Sequence, residues 1–348
     1  MHLKSHHKVA ILLHEGLSSS GGKTGISLLR YSELPIVAVI DHESVGKSVV
    51  EVTGIHRDVP IVGSVNEALD YGAEVLAIGI APSGGALPDA WFQELKQGVA
   101  AGLSVVNGLH TSMADDAELI ALLTGDQWIW DVRKEPPGLN VGSGKARSLS
   151  CKRVLTVATD MSVGKMSTSL ELHRVSKERG LRSSFIATGQ TGLMLGHDGV
   201  PLDAVRIDFA AGAVEQAVMR QGATSDIVHV EGQGSLMNPA STATLPLMRG
   251  SQPTHLIMVH RVGQTHILNF EDFQIPPLPD AIQLCEMVAS GGGTFTKAKV
   301  SGVALNTFGL SDEEATRAIA HIQDETGLPC TDAIRYGVAP LMDAIMAS

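Results

Sequence analysis

The sequence predicts an α/β fold in two domains, each built on a parallel, doubly wound sheet. Three observations carry this expectation. Short apolar, β-branched runs alternate with helical stretches, and runs that are apolar throughout belong to strands covered on both faces. The alternation halts within residues 125–150, which hold Pro136-Pro137, Gly138, Gly142 and Gly144, and it restarts at Cys151. A chain of 348 residues also exceeds one typical domain. The domains are expected at residues 1–140 and 141–348, with the break inside residues 136–150.

The first half supplies five apolar strands and an edge. Residues 8–13 read as a buried strand, and Gly21-Gly22-Lys23-Thr24 opens a helical stretch to about Arg30. Residues 36–40 form a second strand that ends at Asp41, and residues 60–63 a third, followed by a helix with Ser64 as N-cap. Residues 75–80, a helix near 90–101 and residues 104–107 complete the alternation. Trp128 and Trp130 read as a last edge strand, serving packing between the domains and not stacking on a ligand. Right-handed crossovers put loops 16–23, Asp41, 82–85 and 108–110 on one rim, at the carboxyl ends of the strands where such sheets bind ligands. Gly46-Lys47-Ser48 reads as a structural turn, because Asp41 would repel a phosphate, and Gly22-Lys23-Thr24 misses phosphate-loop spacing from Gly16 by one residue.

The second half restarts with an apolar run, residues 154–157, and a polar turn, then Gly164-Lys165 and a helical pattern to about Arg179. Strands follow at 183–188, 226–231, 255–260, 299–306 and 329–332. Helices are expected at 211–220, from the Pro-rich segment 270–279 to about Ser290, and at 312–326 with Ser311 as N-cap.

Strand, tight loop with Gly-Lys, then helix is the setting of a phosphate loop. Loop N–H groups and the helix dipole favour an anion there, and Lys165 adds a full charge. The loop residues are Thr159, Asp160, Ser162, Val163, Gly164, Lys165, Met166 and Ser167. Met166 stands where a Ser or Thr would hold Mg²⁺, and a thioether does not bind that hard cation. Ser167 comes one position late, about 100° further round the helix. The loop is therefore expected to hold phosphate without a metal. Lys165 is expected in an open loop with little burial; the plain alternative is a βα turn with a solvated Lys.

Composition limits the partners. Net charge −11 argues against nucleic acid or an anionic membrane, so an anionic ligand needs a locally cationic pocket. Cys151, Cys285 and Cys330 make neither a disulfide framework nor a zinc spacing, which points to a reducing cytoplasm. No signal peptide is visible, His6-His7 are expected to be disordered, and no apolar run approaches the ~20 residues of a membrane span. With no His-Glu-x-x-His, Cys pair or Gly-x-Ser-x-Gly, zinc and serine-hydrolase chemistry have no support, and no metal is expected.

Glu231, a strand-end carboxylate before Gly232-Gln233-Gly234-Ser235, is the first candidate for a functional acid or base. Its strand is expected beside the loop strand. His260 is a second candidate base, and Asp208 a third that also suits a helix cap. Arg206 or Arg261 would clamp a carboxylate, Gln190 lies in a substrate-side turn, and N–H groups of Gly232–Ser235 would hold an oxyanion.

The spelling Thr159-Asp160…Val163-Gly164-Lys165 resembles the loop of dethiobiotin synthetase, and the first half is similar to Rossmann-type CoA-binding domains such as that of succinyl-CoA ligase. As a set, Ile78-Gly-Ile-Ala-Pro-Ser-Gly-Gly, Gly108-Leu-His, Asp131-Val-Arg, the loop, Thr188-Gly-Gln-Thr-Gly, Arg206-Ile-Asp-Phe and Glu231-Gly-Gln-Gly-Ser resemble one family over nearly the whole chain. That family pairs an N-terminal Rossmann-like domain with a C-terminal P-loop NTPase-like domain. The resemblance implies D-glutamate N-acetyltransferase activity with acetyl-CoA as donor. Its expected partners are a small amino-acid substrate and further copies of the chain. Two alternatives stay open: an ATP/Mg-dependent carboxylate-activating ligase, which Met166 disfavours, and a non-catalytic nucleotide or CoA sensor.

Overall fold

The computed structural model describes residues 3–82 and 85–348, without the side chain of Ser20. It divides into two compact units: Met1–Lys134 with Leu193–Gly196, and Glu135–Gly192 with His197–Ser348. Ser83 and Gly84 of the expected rim lie outside the described residues.

The first unit holds β1 (Val9–Leu12), β2 (Ile36–Ile40), β3 (Ile61–Val62), β4 (Val75–Ile78), β5 (Ser104–Asn107) and β6 (Ile129–Asp131). They form one parallel sheet in the order β3-β2-β1-β4-β5-β6. The strand order reverses at β1 and β4, the switch point at whose carboxyl ends such sheets bind ligands. Period-two alternation sends Val9, Ile11 and Leu13 into one core and Ala10 and Leu12 into another, one on each face. Each fully buried Leu or Ile contributes roughly 1.5–3 kcal/mol, which is why uninterrupted apolar runs dictate a covered sheet. Ser64 caps helix Val65–Asp70 by accepting from Glu67 N–H. Gly46, with φ 82°, turns the chain toward Ser48, which forms a capping box with Glu51. Trp128 and Trp130 pack against the first unit's own core. Helix Ala117–Leu122 was not anticipated, being only six residues long.

In the second unit, β7 (Lys152–Ala158), β8 (Ser183–Ile186), β9 (Ile227–Val230) and β10 (His255–Arg261) are followed by a hairpin of β11 (His266–Ile267) and β12 (Phe270–Gln274). Then come β13 (Lys299–Asn306) and β14 (Cys330–Thr331). The main sheet runs β14-β13-β10-β7-β9-β8, all parallel. Residues 270–274 are thus a strand and not only a lead-in to a helix, since the prolines begin after them. Helices Thr244–Ser251 and Ala339–Ala347 were hidden by Pro246 and Pro340, which read as breakers but sit in first turns, where no N–H is lost. Helix Ile207–Gly222 starts four residues before the expected 211. Residues 140–145 lie against it: Glu215 accepts from Ser143 N–H and Lys145 N–H, and a Cβ on Gly212 would meet Asn140 O at 1.7 Å.

All three cysteines are free and buried. Among the described residues no helix is long and apolar enough to cross a membrane. His6 and His7 are ordered, contrary to expectation: Lys4 N–H donates to His7 Nδ1, and the His7 ring lies 6.0 Å from that of Trp128.

Candidate functional site

Four parallel strands, β8, β9, β7 and β10, end side by side, and the loops at their carboxyl ends make the site. β7 delivers residues 159–164. Gly164, at φ 122°, caps helix Lys165–Glu178 in a conformation closed to side-chain-bearing residues. Ser162 also takes a positive φ of 59°. Beside it β9 delivers Glu231 and the Gly232–Ser235 turn, the expected strand neighbour in parallel register.

Lys165 is 6% exposed, contrary to the open loop expected, and donates to the Asp160 carbonyl at 2.8 Å. Burial lowers its pKa to about 8, against the pull of Asp160 and Glu231. Its stem passes so close to Gly232 that a Cβ there would meet Lys165 Cδ at 2.9 Å and Thr156 O at 1.8 Å. Only glycine fits between strand and lysine.

Glu231 is 2% exposed, and burial raises its carboxyl to about 7, although Thr188 N–H at 2.9 Å and Gly189 N–H at 3.3 Å favour the charged form. Gln233 Nε2 donates to its other oxygen at 3.3 Å. A Cβ on Gly192 would come within 3.0 Å of the carboxylate, so the Thr-Gly-Gln-Thr-Gly turn is shaped around it. A buried acid near 7 beside a buried amine near 8 is the perturbed pair typical of proton-transfer sites.

Asp160 has a different task. Its Oδ1 accepts from Met161 N–H and Asn238 Nδ2, its Oδ2 from Gln264 Nε2 and Leu268 N–H, all within 2.8 Å. It clasps the loop to two distant segments. Ser235 Oγ donates to the carbonyls of Ala158 and Thr159, and Asn306 Nδ2 to that of Val163. His260 Nδ1 pairs with Thr159 Oγ1 at 2.9 Å, and burial lowers its pKa. Arg261 follows it at the end of β10 and is exposed. Val163 is buried, whereas Met166 and Ser167 are half-buried on the first helical turn.

Several expected roles fall elsewhere. Arg206 is exposed and held by Glu135 at 2.7 Å, and Asp208 lies exposed in the first turn of the same helix, where a carboxylate complements the dipole. Neither shares a hydrogen bond with the Lys165–Glu231 group. Within the turn, Gly232 N–H goes to Thr156 Oγ1 and Ser235 N–H to Ser241 Oγ, so those two are already engaged. Gln190 begins the short helix Gln190–Met194. Sequence reasoning missed Thr156, which holds the Gly232 turn from 76 positions away, and Asn238 and Gln264, which hold Asp160 of the loop from 78 and 104 positions away. The Asn238-Pro239 turn was the only local signal.

The comparisons agree with this architecture. A family model described as a DUF1611 C-terminal P-loop domain of unknown function matches residues 140–342, and its N-terminal companion, described as Rossmann-like, matches 42–135. A protein of Tritonibacter scottomollicae named D-glutamate N-acetyltransferase is 36% identical over 290 residues, covering 82% of this chain and 84% of its own. One of the same name from a Pseudoalteromonas species is 35% identical over 288 residues, with the same coverage. The crystal structure of a DUF1611 family protein from Anabaena variabilis ATCC 29413 is 62% identical, covers 99% of this chain and 100% of its own, and superposes with a TM-score of 0.96. The chain belongs to the DUF1611 family, with a Rossmann-like N-terminal domain and a P-loop C-terminal domain.

Proposed function

We propose that this protein is an N-acetyltransferase that moves an acetyl group from acetyl-CoA to the amine of D-glutamate, with Glu231 as the base. The observation that carries the reading is the buried pair of Glu231, near pKa 7, and Lys165, near 8, at a loop whose metal-hydroxyl position is Met166. The names of the two relatives support acetyl transfer to D-glutamate.

An amino acid is a zwitterion, and the pair is its complement. Lys165 uses one of its three donors on Asp160 and keeps two for an α-carboxylate, together with the N–H groups at the helix start. The ammonium, two bonds from that carboxylate, then falls to Glu231. Glu231 takes the proton the ammonium must lose, and the freed amine attacks the thioester carbonyl. With the first proton released from Glu231 to solvent, the attacking nitrogen gives its second proton to Glu231, and that proton passes to the departing thiolate as the carbon–sulfur bond breaks. Gln233 and Gly234 N–H groups remain for the oxyanion, and Arg261, exposed beside His260, suits the second carboxylate. CoA phosphates are a whole pantetheine arm away from the thioester. A phosphate in the Lys165 loop would therefore keep the reacting carbon out of reach of Glu231, which favours the acceptor carboxylate as the loop's anion.

Titration calorimetry with acetyl-CoA, D-glutamate and ATP·Mg²⁺, with mass detection of product, tests the proposal. Acetyl-CoA should bind without Mg²⁺, and N-acetyl-D-glutamate should form in preference to the L-isomer. Mg²⁺-dependent ATP binding with no response to acetyl-CoA would replace this reading with a carboxylate-activating ligase. Ligand binding with no product from any amino acid would replace it with a sensor.

A further inference from the structure

Strands β1 and β2 of the first unit end alike: a His-Glu pair closes each, as Leu12-Leu13-His14-Glu15 and Ile40-Asp41-His42-Glu43. The strands are parallel, with Leu12 opposite Ile40, so the register carries His14 alongside His42. Their Nδ1 atoms lie 2.9 Å apart, and a carboxylate oxygen of Asp41 falls within 4.8 Å of the ring nitrogens of both. His14 and Asp41 are 2% and 1% exposed, while His42 opens to solvent.

A second carboxylate orients the set. Glu94, on helix Asp89–Ala100, pairs with His14 Nε2 at 2.8 Å, and its other oxygen accepts from Val65 N–H at 2.6 Å. The Glu94 contact fixes the proton on Nε2, and the Nδ1 lone pair accepts from the His42 backbone N–H at 3.2 Å and faces the His42 ring. A cation would take over that lone pair, with the carboxylate-held Nε2 that metal-ligating histidines carry. A proton shared between the two rings would satisfy them alone. Among the described residues it would leave the buried Asp41 carboxylate with two backbone donors, Glu15 N–H at 3.0 Å and Glu43 N–H at 3.4 Å, both on Oδ1.

We propose that the first unit binds a zinc-class divalent cation through His14 Nδ1, His42 Nδ1 and an Asp41 carboxylate oxygen, with Glu94 as the positioning residue. Two imidazoles and one carboxylate suit Zn²⁺, whereas Mg²⁺ and Ca²⁺ ask for oxygen donors. Three protein ligands leave a coordination position open beside the switch point of the sheet, where water or an anionic oxygen of a small ligand would sit. Glu15 and Glu43, exposed around His42, draw a cation to the mouth. Asp41 had been placed on the ligand rim from sequence, but the paired His-Glu strand ends were overlooked. The site is independent of the acetyl-transfer reading.

Metal-stripped full-length protein titrated with Co²⁺ should develop visible ligand-field absorption that saturates at one ion per chain, and Zn²⁺ should displace it. Glu94→Gln should weaken binding by about 10–100-fold. His42→Ala should abolish the spectrum while changing thermal unfolding of the stripped protein little, because that side chain is exposed and the retained His42 backbone N–H still donates to His14 Nδ1; it stands in should His14→Ala fail to fold. A His6→Ala/His7→Ala variant should bind as the parent does. No absorption in the parent, saturation unaltered by His42→Ala, or loss of binding in the His6/His7 variant would each overturn the proposal.

Discussion

Both units end their central strands in polar loops on six-stranded parallel sheets, yet the second sheet gathers a lysine, a helix start and Glu231, whereas the first gathers two histidines, Asp41 and Glu94. On the readings proposed above, the second end receives an anion next to a proton acceptor, and the first a cation. Strand-end position says where a ligand goes; residue type says which. The two ends also differ in how their aspartates are held. Among the described residues Asp160 takes four donors on two oxygens, Asp41 two donors on one.

That last difference gives the largest expected effect. Asp160→Asn turns an amide N–H₂ against the donors of Gln264 and Leu268, so the denaturant midpoint of the second unit should fall by the equivalent of about 3 kcal/mol or more. Asp41→Asn keeps Oδ1 for both backbone donors, and its cost in metal-free protein should stay below about 1 kcal/mol. Equal losses would mean that the two rims are organised alike.

Lys165→Ala comes next. It should raise KM for D-glutamate by roughly ten- to a hundredfold, the worth of one charge-assisted hydrogen bond, and leave KM for acetyl-CoA unchanged. An increase confined to acetyl-CoA would put a phosphate in the loop and remove Glu231 as base. The same substitution reports on burial. With the pKa lowered to about 8 from 10.5, the folded protein binds protons less well than the unfolded chain. The resulting penalty is full below pH 8 and fades as pH rises toward 10.5. Melting curves should therefore show Lys165→Ala gaining most over the parent at pH 7 and least at pH 10. Met166→Thr should have the smallest effect: a gain in Mg²⁺-dependent ATP affinity of about tenfold with acetyl transfer unchanged, because it restores one oxygen ligand.

The sequence carried the loop, its helix and Glu231 on the neighbouring strand, since each rests on local pattern: an apolar run, Gly-Lys, then a 3.6-residue period. Burial of Lys165 was not legible, because it depends on Gly232 letting the lysine stem lie against β7 and on Asp160 being pinned from residues 238, 264 and 268. Arg206 looked like a clamp by type, but Glu135, 71 positions earlier, neutralises it on the surface. The histidine pair was hidden for the opposite reason: each His-Glu is unremarkable alone, and only the parallel register of β1 and β2 brings them together.

The most direct test is the pH dependence of acetyl transfer in the parent and in Glu231→Gln. With Glu231 pushed up to about 7 by burial and Lys165 lowered to about 8, kcat/KM for D-glutamate should rise about tenfold per pH unit below 7, peak between 7 and 8, and fall again above 8 as Lys165 loses its proton. Glu231→Gln should be slower by about 10²–10⁴-fold and lose that inflection, while still binding acetyl-CoA. A Glu231→Gln protein that keeps both the rate and the inflection near 7 would contradict the account.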